Sequence, residues 1–435
     1  MRNFRKLTPL FLVLLMNILG FGILFFSSAS VDTQALYYSL ALLGLVLVSY
    51  MLIVFFSMGD HYLFLIVSAL LTVGILMLFR LDPTQAMTQI TWFYVGMAGF
   101  YAVYILFRKC KAWPKLFPFY ALIAFFLFVF TLLFGSRVNG AKNWLSLGGI
   151  SLQPSEPIKI LFILGLAALY TAPYGRPHDR LFAFTEKRLP RLMRPLKFLM
   201  RLYDSQTGRQ LLIMVYAFLH LGFLVLQREW GSAVLYFLIY FVLQFVLSSK
   251  YYFLLINAVL AMGGGLLGYK FMSHIQERVA IWRDPFSGTN DLGYQIAQSL
   301  YAMSAGGFSG TGIGQGQPWR VPVVKSDFIF SAIYEELGML GASAVVLLFF
   351  LLVYRGIKIS LMVKTPFYKA VALGIAVMFG FQTLIIIGGV TKLIPLTGIT
   401  LPFMSAGGSS LATSFASLAI LQAISAREED MSDDI

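Results

Sequence analysis

Twelve predominantly apolar runs divide this chain, most of them close to the length of a membrane-crossing helix. They fall at about 9–28, 36–56, 62–79, 89–107, 116–134, 158–173, 211–227, 231–248, 252–270, 337–354, 369–388 and 401–424. A bilayer core takes roughly 20 residues of helix to cross. Its interior offers no water to backbone polar groups, so each run must satisfy its own hydrogen bonds as a helix. Of the 435 residues, 59% are hydrophobic and 12% charged, too little polar surface for a soluble protein of this length. The expected fold class is an all-α polytopic membrane protein of about twelve spans. The first run is long enough to be a spanning helix rather than a signal core, so a cleaved signal is not expected. The single cysteine, Cys110, cannot form an internal disulfide.

Lys and Arg placement orients the bundle. Arg2, Arg5 and Lys6 precede the first run; Arg108, Lys109, Lys111 and Lys115 follow the fourth. Nine more basic residues, among them Arg176, Arg188, Arg194 and Arg201, lie in 174–210, and Arg355, Lys358, Lys364 and Lys369 follow the tenth run. With twelve spans all four groups share one side with both termini, which identifies it as the cytoplasm. The net charge of +14 therefore reads as basic cytoplasmic loops rather than a nucleic-acid surface. The 174–210 loop reads as a topology determinant on anionic headgroups, with docking of a cytoplasmic partner as the alternative. The acidic 426–435 tail reads as a solvated end.

The opposite side receives two long segments, 135–157 and 271–336, and these carry the chemistry-bearing residues. Ionisable groups at membrane depth are functional candidates. Glu156 and Lys159 are three apart, on one helical face at the start of the sixth run. Glu229 marks the boundary after the seventh. His274, Glu277, Arg278, Arg283 and Asp284 follow the ninth. Cations on this side (Arg137, Lys142, Arg278, Arg320, Lys325) run against the positive-inside bias and suggest a phosphate-bearing ligand; mutual neutralisation of neighbouring carboxylates remains open. The "GGFSGTGIGQG" stretch has no preceding strand and no βαβ context, so it reads as a closely packed loop rather than a nucleotide cradle. Asp327, ahead of the apolar "FIF", is a candidate general base because desolvation raises a carboxylate's pKa; nearby Lys325 opposes that, and a helix N-cap is the alternative. Glu335 and Glu336 are adjacent, point in different directions, and so do not form a carboxylate dyad.

Several stretches together resemble the SEDS family (shape, elongation, division and sporulation proteins, RodA-, FtsW- and SpoVE-like): "NGAKNWLSLGGISLQPSEPIKI", "QREWGSA", "ERVAIWRDPF", "GYQIAQSLYAMSAGGFSGTGIGQG", "PVVKSDFIFSAIYEELGMLG" and "IPLTGITLPFMSAGGSSL". The resemblance covers about 60–425. It implies a ten-helix membrane domain over 58–425, so that 1–57 adds two N-terminal helices, with 271–336 as the large extracytoplasmic loop. It implies a peptidoglycan glycosyltransferase of the cytoplasmic membrane that polymerises lipid II at the outer face, partnered by a class B penicillin-binding protein. By motif, Asp327 is the family's essential aspartate, and Trp144, Glu156, Lys159, Glu229 and Arg278 match substrate-handling positions. Glu335, Glu336 and Gly338 match a supporting "EELG" element. Three departures stand out: Ser326 before the aspartate where relatives often carry a threonine, Ala406 where many carry a tyrosine, and Lys392 in a loop that often carries glycine.

The chemistry expected from this set is inverting glycosyl transfer. Asp327 takes a proton from an acceptor sugar hydroxyl, while Arg278, Lys159 and one of Arg320 or Lys325 stabilise the departing pyrophosphate. A divalent cation such as Mg is a cofactor this chemistry allows. Trp144 offers a ring for a sugar face or an interfacial anchor. Two other readings are a lipid-precursor transporter and a non-catalytic scaffold of a cell-wall synthase. The chain shows no internal repeat of the kind transporters carry, and its polar residues gather outside the midplane.

Overall fold

The computed structural model describes residues 2–27, 33–138, 140–147, 150–172, 205–248, 250–286 and 291–433. Most of the basic 174–210 loop lies outside the described residues. In chain order the elements are α1 (Arg2–Ser27), α2 (Thr33–Phe55), α3 (His61–Leu81), α4 (Pro83–Lys109) and α5 (Phe117–Phe134). A hairpin sheet follows, β1 (Ser136–Val138), β2 (Ala141–Leu147) and β3 (Ile150–Leu152). Then come α6 (Ser155–Thr171), α7 (Gln206–Leu226), α8 (Trp230–Leu247), α9 (Tyr251–Phe271), α10 (Ser273–Arg283), α11 (Asp291–Gly306), α12 (Ile329–Met362), α13 (Pro366–Val390) and α14 (Gly408–Asp433).

Among the described residues, eleven helices are long and apolar enough to cross a membrane. The twelfth expected span, α6, has 17 residues, about 25 Å of helix at 1.5 Å each. It packs in the bundle against α5, α7, α8 and α13. Helices α3, α13 and α14 form the centre, whereas α1, α5 and α9 turn side chains such as Phe11, Phe126 and Leu255 outward, where lipid tails accept them. The two N-terminal helices dock on α3. Asn17 of α1 donates to Thr72 Oγ1 at 2.8 Å with both residues buried, and Phe21 meets Phe79 edge-on at 5.7 Å. Such interhelical hydrogen bonds contribute about 0.6 kcal/mol each in lipid.

Two ends of the bundle differ. At one, Asp60 caps α3 and pairs with Arg355 at 3.1 Å, and Arg427 donates to the carbonyls of Phe107 and Arg108, closing the C-terminus of α4. At the other, Asp82 caps α4 ahead of Pro83, the favoured first-turn residue. Here too lie the small antiparallel sheet (order β1-β2-β3), α10, α11 and the loops 307–328 and 391–407.

Boundaries depart from the sequence reading in three places. The 271–336 loop contains two helices. The tenth span starts at Ile329, eight residues before the apolar run, because Glu335 and Glu336 are accommodated inside it. The last span starts at Gly408, since 391–407 folds into the bundle as an irregular loop with Leu396, Leu401, Phe403 and Met404 buried. The backbone of the acidic tail continues α14 as helix to Asp433.

Candidate active site

The 34-residue α12 is broken at Gly338, whose φ of 67° and ψ of −172° are open only to glycine at low cost. A Cβ at Gly338 would stand 2.2 Å from the Gly310 nitrogen, so the break lets the glycine-rich loop come into backbone contact. Carbonyls freed at the break are used at once. Thr311 N donates to Glu335 O at 2.9 Å and Gly312 N to Glu336 O at 3.0 Å. The two side chains finish the attachment. Glu335 Oε1 accepts from Gln317 N at 2.6 Å, and Glu336 accepts from Gly314 N and from Arg80 Nε, each at 3.1 Å. Arg80 donates onward to the Gly314 and Gly316 carbonyls and lies 5.0 Å from the Trp319 ring centroid. A loop with six glycines is thus held in one shape from α3 and α12.

That loop delivers Asp327. Val323 adopts a left-handed φ of 55°, turning the chain so that Ser326 N and Asp327 N both donate to its carbonyl at 3.2 Å. The 391–407 loop clasps this turn. Ala406 N donates to Lys325 O at 2.9 Å and Ser405 Oγ to Ser326 O. Gln89 of α4 holds the clasp by donating to Ser405 O at 3.0 Å and accepting from Gly407 N at 3.2 Å. The Asp327 carboxylate lies beside Gly398, and Arg278 of α10 acts on it electrostatically. Burial pushes its pKa above the ordinary aspartate range, while Ser326 and Arg278 pull against that shift. Arg278 is anchored by a hydrogen bond from Nη1 to Leu396 O, and burial lowers its own pKa.

Beneath the 391–407 loop runs a buried polar chain. Lys159 pairs with Glu156 at 2.9 Å and donates to Gln382 Oε1 at 3.2 Å; Gln382 Nε2 donates to Thr400 O at 2.8 Å. Glu156, Lys159 and Gln382 are all buried, so the Lys159 charge is met by protein groups. Next to Glu156, the buried Glu229 accepts from Gln153 at 2.9 Å. Desolvation raises its pKa, polar groups of Gln153, Ser155 and Asn143 oppose the rise, and Glu156 adds to it. Among the described residues no group of three or more His, Cys, Asp or Glu is placed to hold a metal ion. The carboxylates of Glu156 and Glu229 already engage Lys159 and Gln153.

The other expected residues are more dispersed. Lys325 pairs with Asp82 at 2.6 Å, which holds the Asp82 pKa below its usual value. Arg320 is exposed at the end of a short 3₁₀ turn, and its guanidinium has no ion pair among the described residues. Trp144 is half-buried in β2 opposite Ser136. Lys392 holds a left-handed φ of 61°, and its carbonyl accepts from Trp282 Nε1 at 3.1 Å. Sequence reasoning missed Arg80, Asp82 and Gln382. Asp82 was findable as an acid directly before a proline that opens a helix. Gln382 gave only the signal of one amide in an apolar run.

Residues 48–430 match the model of a family described as cell cycle proteins of the FtsW, RodA and SpoVE type. The chain is 34% identical over 381 residues to the peptidoglycan glycosyltransferase RodA of Mycobacterium tuberculosis, covering 84% of this chain and 78% of that relative. It is 30% identical over 382 residues to the stage V sporulation protein E of Bacillus subtilis, covering 84% and 96%. Among solved structures, a chain of a peptidoglycan synthase complex that coordinates polymerization and crosslinking superposes with a TM-score of 0.66 at 25% identity, over 85% of this chain and 98% of that one. The rod shape determining protein RodA of Thermus thermophilus shares the fold, with a TM-score of 0.56 at 23% identity over 84% and 96%.

Proposed function

The chain belongs to the FtsW, RodA and SpoVE family of cell cycle proteins, and on that premise we propose that it is a peptidoglycan glycosyltransferase that polymerises lipid II into glycan strands. The observation that carries the assignment of roles is the environment of Asp327. Its carboxylate is held between two clasped loops, desolvated enough to favour proton uptake, and within the electrostatic reach of the Arg278 guanidinium. A base is most effective when its pKa approaches the working pH, and partial burial moves an aspartate that way.

In the proposed reaction Asp327 removes the proton from the 4-hydroxyl of the acceptor's terminal N-acetylglucosamine. That oxygen bonds to C1 of the donor's terminal N-acetylmuramic acid on the face opposite the phosphate. The C1–O bond breaks with inversion, and the electron pair leaves on undecaprenyl pyrophosphate. Arg278 stands where the departing charge develops, and a fixed cation there is worth more than one in water. Arg320 is a further exposed cation of the same face. Glu156, Lys159 and Glu229 act beneath the site, Trp144 from the central strand of the small sheet, and Glu335, Glu336 and Gly338 through the loop they hold.

The end of the bundle that bears Asp327 faces outward in this reading, because the basic loops occupy the other end. The membrane is the bacterial cytoplasmic membrane, both termini are cytoplasmic, and residues 1–57 form an accessory pair on the 58–425 catalytic domain. A class B penicillin-binding protein supplies the crosslinking activity, a reading supported by the similar synthase complex, in which polymerization and crosslinking are coordinated. The test is lipid II polymerisation by the purified protein with and without such a partner, comparing wild type with Asp327→Asn. Glycan from wild type and none from the variant is expected. A folded wild type that makes no glycan with any partner sinks the assignment, and equal product from both removes Asp327 as base.

A further inference from the structure

One corner of the site end brings two arginines, Arg228 and Arg278, to bear on one histidine. Arg228, two residues past the end of α7, holds a left-handed φ of 62°, with its N–H bonded to Val225 O at 3.0 Å and the next N–H to Leu224 O at 2.9 Å. This is a helix C-cap geometry that glycine fills most cheaply, so an arginine there is strained. Its side chain is exposed and has no ion pair among the described residues. Two residues later, Trp230 opens α8 and packs on His274 of α10 with ring centroids 6.1 Å apart. Arg278 is one helical turn beyond His274, and both Arg228 and Arg278 act electrostatically on the His274 ring. Glu277 is the acid that acts on it in the opposite sense, while Glu229, next in the chain to Arg228, is turned inward to Gln153. Trp230 Nε1 and His274 Nε2 have no hydrogen-bond partner among the described residues. Arg278 commits one N–H to Leu396 O and keeps other donors of its fork.

We propose that Arg228, Trp230, His274 and Arg278 form a binding site for a diphosphate group, the one that links the donor sugar to its lipid. The identity of the donor rests on the polymerase reading above; the anion chemistry does not. Two guanidiniums from different elements match the spread charge of a diphosphate better than that of a single carboxylate. Depth agrees as well. The corner joins the start of the apolar α8 to the end of the apolar α9, where Leu266, Leu267 and Phe271 are exposed for a prenyl chain to lie against. Arg278 is the member that also acts electrostatically on Asp327, so a diphosphate here would hold its sugar on the side of the base.

Strain at Arg228 makes the test decisive, because Arg228→Gly relieves the backbone while removing the charge. Thermal unfolding of the purified full chain in detergent is followed against inorganic pyrophosphate, and separately against phosphatidylglycerol in the micelle. Wild type is expected to show a saturable rise in its midpoint with pyrophosphate. Arg228→Gly is expected to unfold no earlier than wild type without ligand, yet to need about tenfold more pyrophosphate for the same rise, the loss typical of one charge-assisted pair. His274→Gln weakens the response less, and Asp327→Asn, which removes a carboxylate acting on Arg278, needs no more pyrophosphate than wild type. No pyrophosphate response in wild type, or an equal one in Arg228→Gly, overturns the proposal. So does a rise with phosphatidylglycerol alone, which makes the corner a phospholipid headgroup site, or a lower ligand-free midpoint for Arg228→Gly, which makes Arg228 structural. An inactive polymerase with this binding pattern intact would refute the polymerase reading and leave the anion site standing.

Discussion

Gly398 stands against the Asp327 carboxylate: a Cβ built on it would lie 3.6 Å from Oδ2, and its own φ is +71°. The missing side chain therefore serves the backbone more than the contact, since 3.6 Å is an ordinary van der Waals distance. Gly398→Ala is expected to cost about 1 kcal/mol in left-handed strain. It should lower the thermal midpoint by a few degrees and displace the loop beside the carboxylate. Steady-state polymerisation should show the loss in kcat rather than in KM.

Asp327 must be ionised to act as base, so activity should fall as pH drops through its raised pKa. Arg278 holds that pKa down against burial. Arg278→Gln removes the restraint, and the acid limb of the kcat profile is expected to move to higher pH. A limb that stays in place or moves to lower pH would separate Arg278 from Asp327 titration.

Glu229 has a folded-state pKa above its unfolded value, chiefly through desolvation. The native state then binds more protons than the unfolded chain between those two values, so stability is greatest below the unfolded pKa and declines as pH rises through the folded one. Glu229→Gln is expected to flatten that decline. Unfolding midpoints measured from acid to neutral pH test it.

Arg80 and Glu336 form an ion pair in which the Glu336 side chain is fully buried. Removing one partner strands the other, typically for about 3–5 kcal/mol, whereas removing both with apolar residues of similar volume costs much less. Arg80→Met is thus expected to destabilise the protein far more than the double variant Arg80→Met/Glu336→Met. Midpoints of the two variants and of Glu336→Met complete the cycle.

Gln382 bridges Lys159 to the Thr400 carbonyl. Gln382→Leu leaves that carbonyl without its donor, a cost of about 1–3 kcal/mol for a buried group. The expected signature is a fall in kcat with lipid II KM nearly unchanged, because the loop it supports reaches the turn that carries Asp327 through Ser405 and Ala406.

The spans were legible because twenty consecutive apolar residues have few other fates, and Asp327, Glu156 and Lys159 because carboxylates and ammoniums are costly near a membrane. The partners that hold them were harder to see. Arg80 ends an apolar run where a basic residue ordinarily marks a flank, and only the fold brings it to Glu336, 256 positions away. The 401–424 run began too early because Leu401, Phe403 and Met404 are apolar for burial in a loop rather than for contact with lipid. Helices α10 and α11 were hidden by their mixed composition, which resembles that of a loop when no burial pattern is available.

The glycine-rich segment is held largely through its main chain: Thr311, Gly312, Gly314 and Gln317 each donate a backbone N–H to Glu335 or Glu336. A segment addressed in this way owes little of its shape to its own side chains. Substitutions at exposed positions such as Phe308 and Gln315 therefore change what the surface meets while the carboxylate downstream keeps its place.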